Sequence, residues 1–446
     1  MIEKTFKLSA QGTSVRTEVL AGFTTFLTMA YIVIVNPTIL GQAGMPVAAV
    51  AAATCLAAGF GSILMGLIAN YPIALAPGMG LNAYFTFTVV RGMGVPWETA
   101  LGCVFLSGVA FLILTVAGIR QLIVGAIPRP LFSAVAAGVG LFIAFIGLKE
   151  AGIIVADPAT TVALGDLTQP SASLALLGLV VMGGLMVWRV KGAIMIGILV
   201  AAAAGWSMGL AKVVPGDHGL SALTATAFKL DVPAALSLGG AKGHGGGAAM
   251  AMTLAEIVFV FLFVDLFDNV GTLVAVTKKA GLVQPDGTIP RLNRILTADS
   301  IATIGGSLVG TSTVVSYIES ASGVAAGGRT GLTSVVVGLL FLATLFFAPW
   351  VQAIPAAATA PALIIVGSLM VGALADIDWE DPAVAIPAFL TAITIPLTFS
   401  IANGLAFGIT AYAGLTLLRG RAQPKDWLLF VLAALFVARF IYMGKA

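Results

Sequence analysis

Charge is what this chain has least of. Only 9% of its 446 residues are Asp, Glu, Lys or Arg, where a soluble domain carries about 25%. The deficit runs the whole length, 59% of the residues are hydrophobic, and the mean hydropathy is +1.07. These values exclude a soluble fold and imply an all-α polytopic membrane protein in contact with the lipid bilayer. A net charge of +3 leaves no basic excess to hold nucleic acid. Histidine is nearly missing, at two residues, so metal catalysis is not expected and no cofactor is called for. The two cysteines, Cys55 and Cys103, sit in apolar runs and read as small buried hydrophobes rather than a disulfide or a metal pair. The N-terminal stretch is polar for about 17 residues before it turns apolar. It lacks the short apolar core and cleavage site of a signal peptide.

What is present is a succession of apolar segments. A crossing helix needs roughly 20 apolar residues. Candidates fall at 17–36, 47–70, 73–90, 97–117, 121–147, 171–188, 193–211, 250–276, 295–310, 311–326, 330–348, 356–374, 383–398 and 401–418, which makes 14. A last apolar stretch, 427–443 in the tail 419–446, contains Arg439. It fits either a fifteenth span or a helix in the membrane interface, and the interface is preferred. With the tail 1–16 in the cytoplasm, 15 Lys and Arg residues from Lys4 to Lys425 collect inside, and only Arg91, Lys149, Lys212, Lys229 and Lys242 outside. That asymmetry follows the positive-inside rule. The connector 212–249 falls outside and contains "GGAKGHGGGAAM". It reads as an exposed flexible link, with His244 a poor metal ligand on its own.

The halves 17–211 and 250–418 hold seven segments each. Seven is odd, so the second half runs inverted, as in secondary transporters. A faint echo joins "GSILMG" (61–66) and "GGSLVG" (305–310). Each precedes the most irregular stretch of its half: "YPIALAPGMGLNAYF" (71–85), with Pro72, Pro77 and two glycines, and "GTSTVVSYIESASG" (310–323), with a β-branched, hydroxyl-rich run. Proline breaks a helix, and paired interruptions in corresponding segments point to a transporter's binding site. Ordinary kinks remain the bland reading of either stretch alone.

Asp265 and Asp268 lie three apart near the middle of the 250–276 segment, on one helical face. Each costs about 2.5–3.5 kcal/mol there. Burial and a like-charged neighbour both disfavour the charged form, so at least one is expected to hold a proton part of the time. A structural, hydrogen-bonded pair is the alternative. Glu319 follows the second broken stretch and is expected in the first turn of a half-helix starting near Ser316 or Tyr317. Asn82 holds the matching place in the first half, as a ligand contact or a cap. Asp299 fits a helix cap or a partner for Arg294 as well as a functional acid. Thr311, Ser312 and Thr313 add hydroxyls. No Lys or Arg joins the set at membrane depth, which suits a neutral or cationic solute with several N–H donors rather than an anion.

"LAPGMGLNAYF", "FVDLFDNVGTL", "TADSIATIGGSLVGTSTVVSYIESASGV" and the N-terminal "RTEVLAGFTTFLTMAYIVIVNPTIL" resemble the AzgA-like purine permeases, a branch of the nucleobase permeases. The resemblance covers nearly the whole chain. It implies 14 segments in two inverted sevens, with segments three and ten broken by short strands. A core domain would comprise segments one to four and eight to eleven, and a gate domain the rest. It implies proton symport of adenine, guanine or hypoxanthine by an elevator form of alternating access, in the plasma membrane; the apolar faces of the gate make a homodimer plausible. Carried over by position, it implies Asp268 and Glu319 for the base, Asn82 as the segment-three polar group, Asp265 as the branch's additional acid and Asp299 as part of a segment-nine element; Ile318, Thr313, Thr25 and Thr28 are further candidates for the base, and Asp265, Asp268 and Asp299 the candidates for the proton. The chain departs from the uracil and xanthine branches on segment one, where "TTFLTMAY" replaces their Gln-His or similar pair, leaving Thr25 and Thr28 without an assigned role. The alternatives are a same-fold carrier of another nucleobase or an anion, and a membrane-embedded enzyme reading "DLFD" as a metal-binding pair. The enzyme would need more carboxylates near water and basic phosphate partners.

Overall fold

The structure is a computed structural model describing residues 2–118, 128–210, 219–237, 247–282, 289–420, 422–423 and 426–443. His244, Lys212 and Lys242 lie outside the described residues. The first half contains α1 (Ile2–Phe6), α2 (Val15–Met29), α3 (Ile32–Gly41), α4 (Val47–Leu64), the strand β1 (Leu75–Pro77), α5 (Met79–Ala83), α6 (Trp97–Val116) and α7 (Arg129–Glu150). A hairpin of β2 (Ile154–Asp157) and β3 (Thr161–Leu164) leads to α8 (Pro170–Val187) and α9 (Ala193–Ser207). The second half contains α10 (Val232–Ser237), α11 (Gly247–Lys279), α12 (Leu292–Val309), β4 (Val314–Ser316), α13 (Ser320–Ala325) and α14 (Gly331–Thr344). It closes with α15 (Ala356–Val371), α16 (Pro382–Thr398), α17 (Ile401–Leu418) and α18 (Trp427–Met443).

Among the described residues, eight helical stretches are long and apolar enough to cross a membrane, by length and composition, and four more are apolar but shorter. The expected third, ninth and tenth segments are absent from both sets because two are broken and α12 carries Arg294, Asp299 and several hydroxyls. By packing the helices sort into two groups. α2, α3, α4, α6, α12 and α14 pack among themselves, and so do α7, α8, α9, α15, α16 and α17.

One expectation changes. The connector is not loose throughout: Thr226 is fully buried, Phe228 N–H donates to Leu308 O (2.7 Å), and Asp231 N–H donates to Glu98 O (2.9 Å). Of the expected fifth segment, 129–147 is helical within α7, and 121–127 lies outside the described residues. The terminal stretch is a helix that runs antiparallel along α17, with Phe440 on Phe407 (5.5 Å between rings) and Phe436 on Phe259 (5.7 Å). Leu429, Leu432 and Phe436 on this helix are buried, and Trp427, Leu435 and Ile441 are exposed.

Glu18 shows how a buried charge is held without function. Its carboxylate accepts from Arg329 N (2.9 Å), Thr330 N (3.3 Å), Thr333 N (3.2 Å) and the Thr333 hydroxyl (2.5 Å). These donors lie at and just before the N-terminus of α14, where backbone N–H groups lack a full set of helical acceptors and the helix dipole favours an anion. Glu18→Ala should cost about 2–3 kcal/mol, because these donors lose a charged acceptor. Glu18→Gln should cost less. Thermal unfolding in detergent reads the difference, and an unchanged midpoint in the alanine variant would refute the capping role.

Candidate functional site

Pro72 and Pro77 deprive the chain after Ala69 of helical N–H donors, and the backbone runs extended as β1. In the other half the run Thr311 to Ser316 is β-branched or hydroxylated, and it forms β4. The strands pair antiparallel, Leu75 with Ser316, Ala76 with Val315 and Pro77 with Val314. Gly78 N–H to Thr313 O (2.9 Å) and Tyr317 N–H to Ala74 O (3.0 Å) extend the ladder. The Tyr317 hydroxyl donates to Pro77 O (2.5 Å). Both strands are buried along their whole length.

A two-stranded sheet has two free edges, and here side chains fill them. Ser62 Oγ donates to Leu75 O (3.0 Å) and accepts from Leu75 N (2.9 Å). Thr303 Oγ1 does the same for Val314, at 3.0 and 3.2 Å. Ser320 Oγ accepts from Ala74 N (3.0 Å), and Asn269 Oδ1 accepts from Ser316 N (2.9 Å). The glycines of the internal echo let the helices approach: a Cβ on Gly61 would lie 3.2 Å from Leu75 Cβ, and one on Gly306 2.7 Å from Val314 Cγ2.

Short helices leave the strands at opposite ends, α5 after Gly78 and α13 after Glu319. Glu319 is the residue before α13, not a member of its first turn as the sequence suggests, because Tyr317 stays on the ladder. It is half-buried, beside the exposed Ile318. Asp268 is also half-buried, and its Oδ2 lies 3.8 Å from where a Cβ on Gly80 would stand, so α11 brings it against the start of α5. Glu319 follows β4 by three residues, and Asp268 stands at the start of α5, which follows β1.

Asp265 is treated differently from its neighbour one turn away. It is fully buried, as is Asp299. The Asn269 side-chain amide donates to Asp265 Oδ1 (2.5 Å) and to Asp299 Oδ2 (2.9 Å). Asp299 lies about two turns into α12, too deep to cap it. The structure thus separates a half-open pair, Asp268 and Glu319, from a sealed pair, Asp265 and Asp299.

The remaining candidates lie at the margins. Asn82 is buried and its Oδ1 accepts from the Ser312 hydroxyl, while its Nδ2 has no hydrogen-bond partner among the described residues. Thr313 is buried just before β4, its hydroxyl also without a partner among the described residues. Thr25 and Thr28, on α2, back the second short helix: the Thr28 hydroxyl meets Ser322 Oγ (3.0 Å), and Thr25 packs on Gly323. The segment-one group that reaches the carboxyls is Tyr31, whose hydroxyl donates to Glu319 Oε1 (2.7 Å). Sequence reasoning missed Tyr31 and Asn269. Both stand in the stretches it singled out, Tyr31 ending "TTFLTMAY" and Asn269 four after Asp265 on the same helical face. Among the described residues no group of three or more His, Cys, Asp or Glu is placed to hold a metal.

The sequence pattern of the Permease family matches residues 16–407. The chain is similar to adenine permease AdeP of Escherichia coli (strain K12), 44% identical over 443 residues, covering 99% of this chain and 96% of that one. It is similar to guanine/hypoxanthine permease PbuG of Bacillus subtilis (strain 168), 44% identical over 447 residues, covering 98% and 99%. These relatives are permeases, not enzymes. Among solved structures it resembles the transmembrane domain of the cyanobacterial bicarbonate transporter BicA, with a TM-score of 0.63, 14% identity and coverage of 87% of this chain and 97% of that one. At that identity the likeness is one of fold.

Proposed function

The chain belongs to the Permease family and is a multi-pass membrane protein, and from that premise we propose that it imports a purine nucleobase together with a proton. The observation that carries this reading is the division of the carboxyls into a half-open pair and a sealed pair on either side of one helix. Asp268 and Glu319 accept N–H donors from the edge of a neutral base. The sealed pair, Asp265 and Asp299, is bridged by one amide, and two charges there are costly. It holds the transported proton. Relatives of this chain are named for adenine and for guanine/hypoxanthine. An anion substrate, as in BicA, is disfavoured by a site built from carboxyls, hydroxyls and amides.

The topology is read as 14 alternating crossings from a cytoplasmic N-terminus in the plasma membrane. The contacts between segment ends support it. On the side taken as outer, Gln42 bonds Glu150, Thr88 Oγ1 donates to Phe399 O (2.6 Å), and Trp206 Nε1 donates to Ala353 O (2.7 Å). On the other side Gly331 N donates to Asn70 Oδ1 (2.7 Å), and Arg419 pairs with Asp381. One crossing added or lost would part these partners. The Ser62 and Thr303 clamps, one in each half, support the inverted repeat. The two packing groups are the core, which carries the strand pair, and the gate; an elevator movement of one past the other exposes the site to each side in turn.

Uptake of labelled adenine, guanine or hypoxanthine into cells lacking other permeases tests the substrate. Saturable uptake is expected, with the other purine bases competing and with uracil and nucleosides poor competitors, since a ribose does not fit a site closed around a planar base. Uptake unaffected by excess purine would overturn the reading.

A further inference from the structure

Asn269 is bonded on three sides, and each bond uses a different part of its amide. One N–H goes to Asp265 Oδ1 (2.5 Å) and the other to Asp299 Oδ2 (2.9 Å), while the carbonyl oxygen accepts from Ser316 N (2.9 Å). Turning the amide over would set its oxygen against the two carboxyl oxygens and its N–H groups against a backbone donor, so the orientation is locked. The side chain is fully buried and touches neither Asp268 nor Glu319 through any of these bonds. Ser316 is the last residue of β4, is paired with Leu75 of β1, and stands three residues before Glu319.

We propose that Asn269 is a positioning residue that couples the proton on the sealed carboxyl pair to the strand pair that shapes the base site. This rests on the reading of Asp265 and Asp299 as the proton site. The step is a proton transfer alone: a proton from water binds one carboxylate on the outer side and returns to water on the inner side, with no bond made or broken in the base. When both carboxyls are charged, both N–H groups of Asn269 are drawn to them. When one is protonated, its O–H becomes a competing donor in the same cavity, and the pull on the amide relaxes. The amide is rigid, so its carbonyl moves with it, and the Ser316 N–H follows. The ionisable groups facing this network from the surrounding elements are Asp268 on α11 itself, Tyr317 and Glu319 next to β4, and Asp299 on α12. Asp299 and, on α11, Asp265 are bonded to the amide.

The test compares wild type, Asn269→Ala and Asn269→Asp as purified protein. Adenine affinity is titrated across pH, and adenine accumulation is measured in proteoliposomes under an imposed pH gradient. Asn269→Ala is expected to bind adenine within about threefold of wild type at its optimum. Its affinity should lose its pH dependence, and its accumulation should fall by about tenfold, the scale of ordinary coupling between sites. Asn269→Asp keeps the size and the acceptor for Ser316, so it guards against a folding failure of the alanine variant. It adds a third carboxyl, so its pH profile should move to higher pH, because the cluster then holds its proton more tightly. A wild-type pH profile and wild-type accumulation in these variants would overturn the coupling role. If wild type itself shows neither pH-dependent affinity nor gradient-driven accumulation, the proton-symport reading fails instead.

Discussion

Glu319→Ala should abolish purine binding and leave a folded protein in the membrane. The argument is directional. Glu319 precedes a short helix at the end of the strand pair, half-buried, with Tyr31 holding one carboxyl oxygen at 2.7 Å. In the proposed reading its carboxylate also accepts from the base. An alanine leaves the ligand's N–H groups unpaired in a dry site, a loss of about 1–3 kcal/mol per group and more if one is charged. That is roughly 10- to 100-fold or more in Kd. Glu319→Gln keeps one acceptor and should lose less. Tyr31→Phe removes only the donor that orients the carboxyl, and should fall between wild type and the glutamine variant. Binding titration on purified protein gives the order. Wild-type affinity in Glu319→Ala would show that the residue merely precedes a helix.

The broken segments were legible because their signals are local. Prolines at 72 and 77 and the β-branched run from Thr311 each forbid or disfavour a helix on their own. The acids were legible too, since a charge at membrane depth calls for an explanation. What sequence reasoning could not reach is which acid faces which neighbour. Asp265 and Asp268 share a helical face in projection, yet one is sealed against α12 and the other stands half-open at α5. That difference is decided by elements tens of residues away, Asp299 and Gly80, which no helical period brings into view. Asn269 was hidden for another reason: an amide costs less than a charge in hydrocarbon, so its presence beside two aspartates raised no alarm. Tyr31 likewise reads as one more apolar letter in a transmembrane run. Thr25 and Thr28 attracted attention by type, but α2 turns them onto the back of α13.

Asp265→Asn and Asp268→Asn should fail in different ways. Asp268 stands at the start of α5, so its asparagine variant should weaken adenine binding by about tenfold, the loss of one charged hydrogen-bond acceptor. Asp265 is sealed and bonded through Asn269 to Asp299. Its asparagine variant is a fixed mimic of the protonated carboxyl, so it should bind adenine about as well as wild type and at all pH values alike. It should be unable to release a proton on the inner side, and so unable to couple the gradient to the base.

The most direct measurement of that claim is adenine accumulation by Asp265→Asn in proteoliposomes with the outer solution more acid than the lumen, beside wild type. Wild type should concentrate adenine above equilibrium, and Asp265→Asn should bring it only to equal concentration on both sides while binding it normally. If Asp265→Asn concentrates adenine as well as wild type does, the sealed pair does not carry the proton, and the division between a base site and a proton site is wrong.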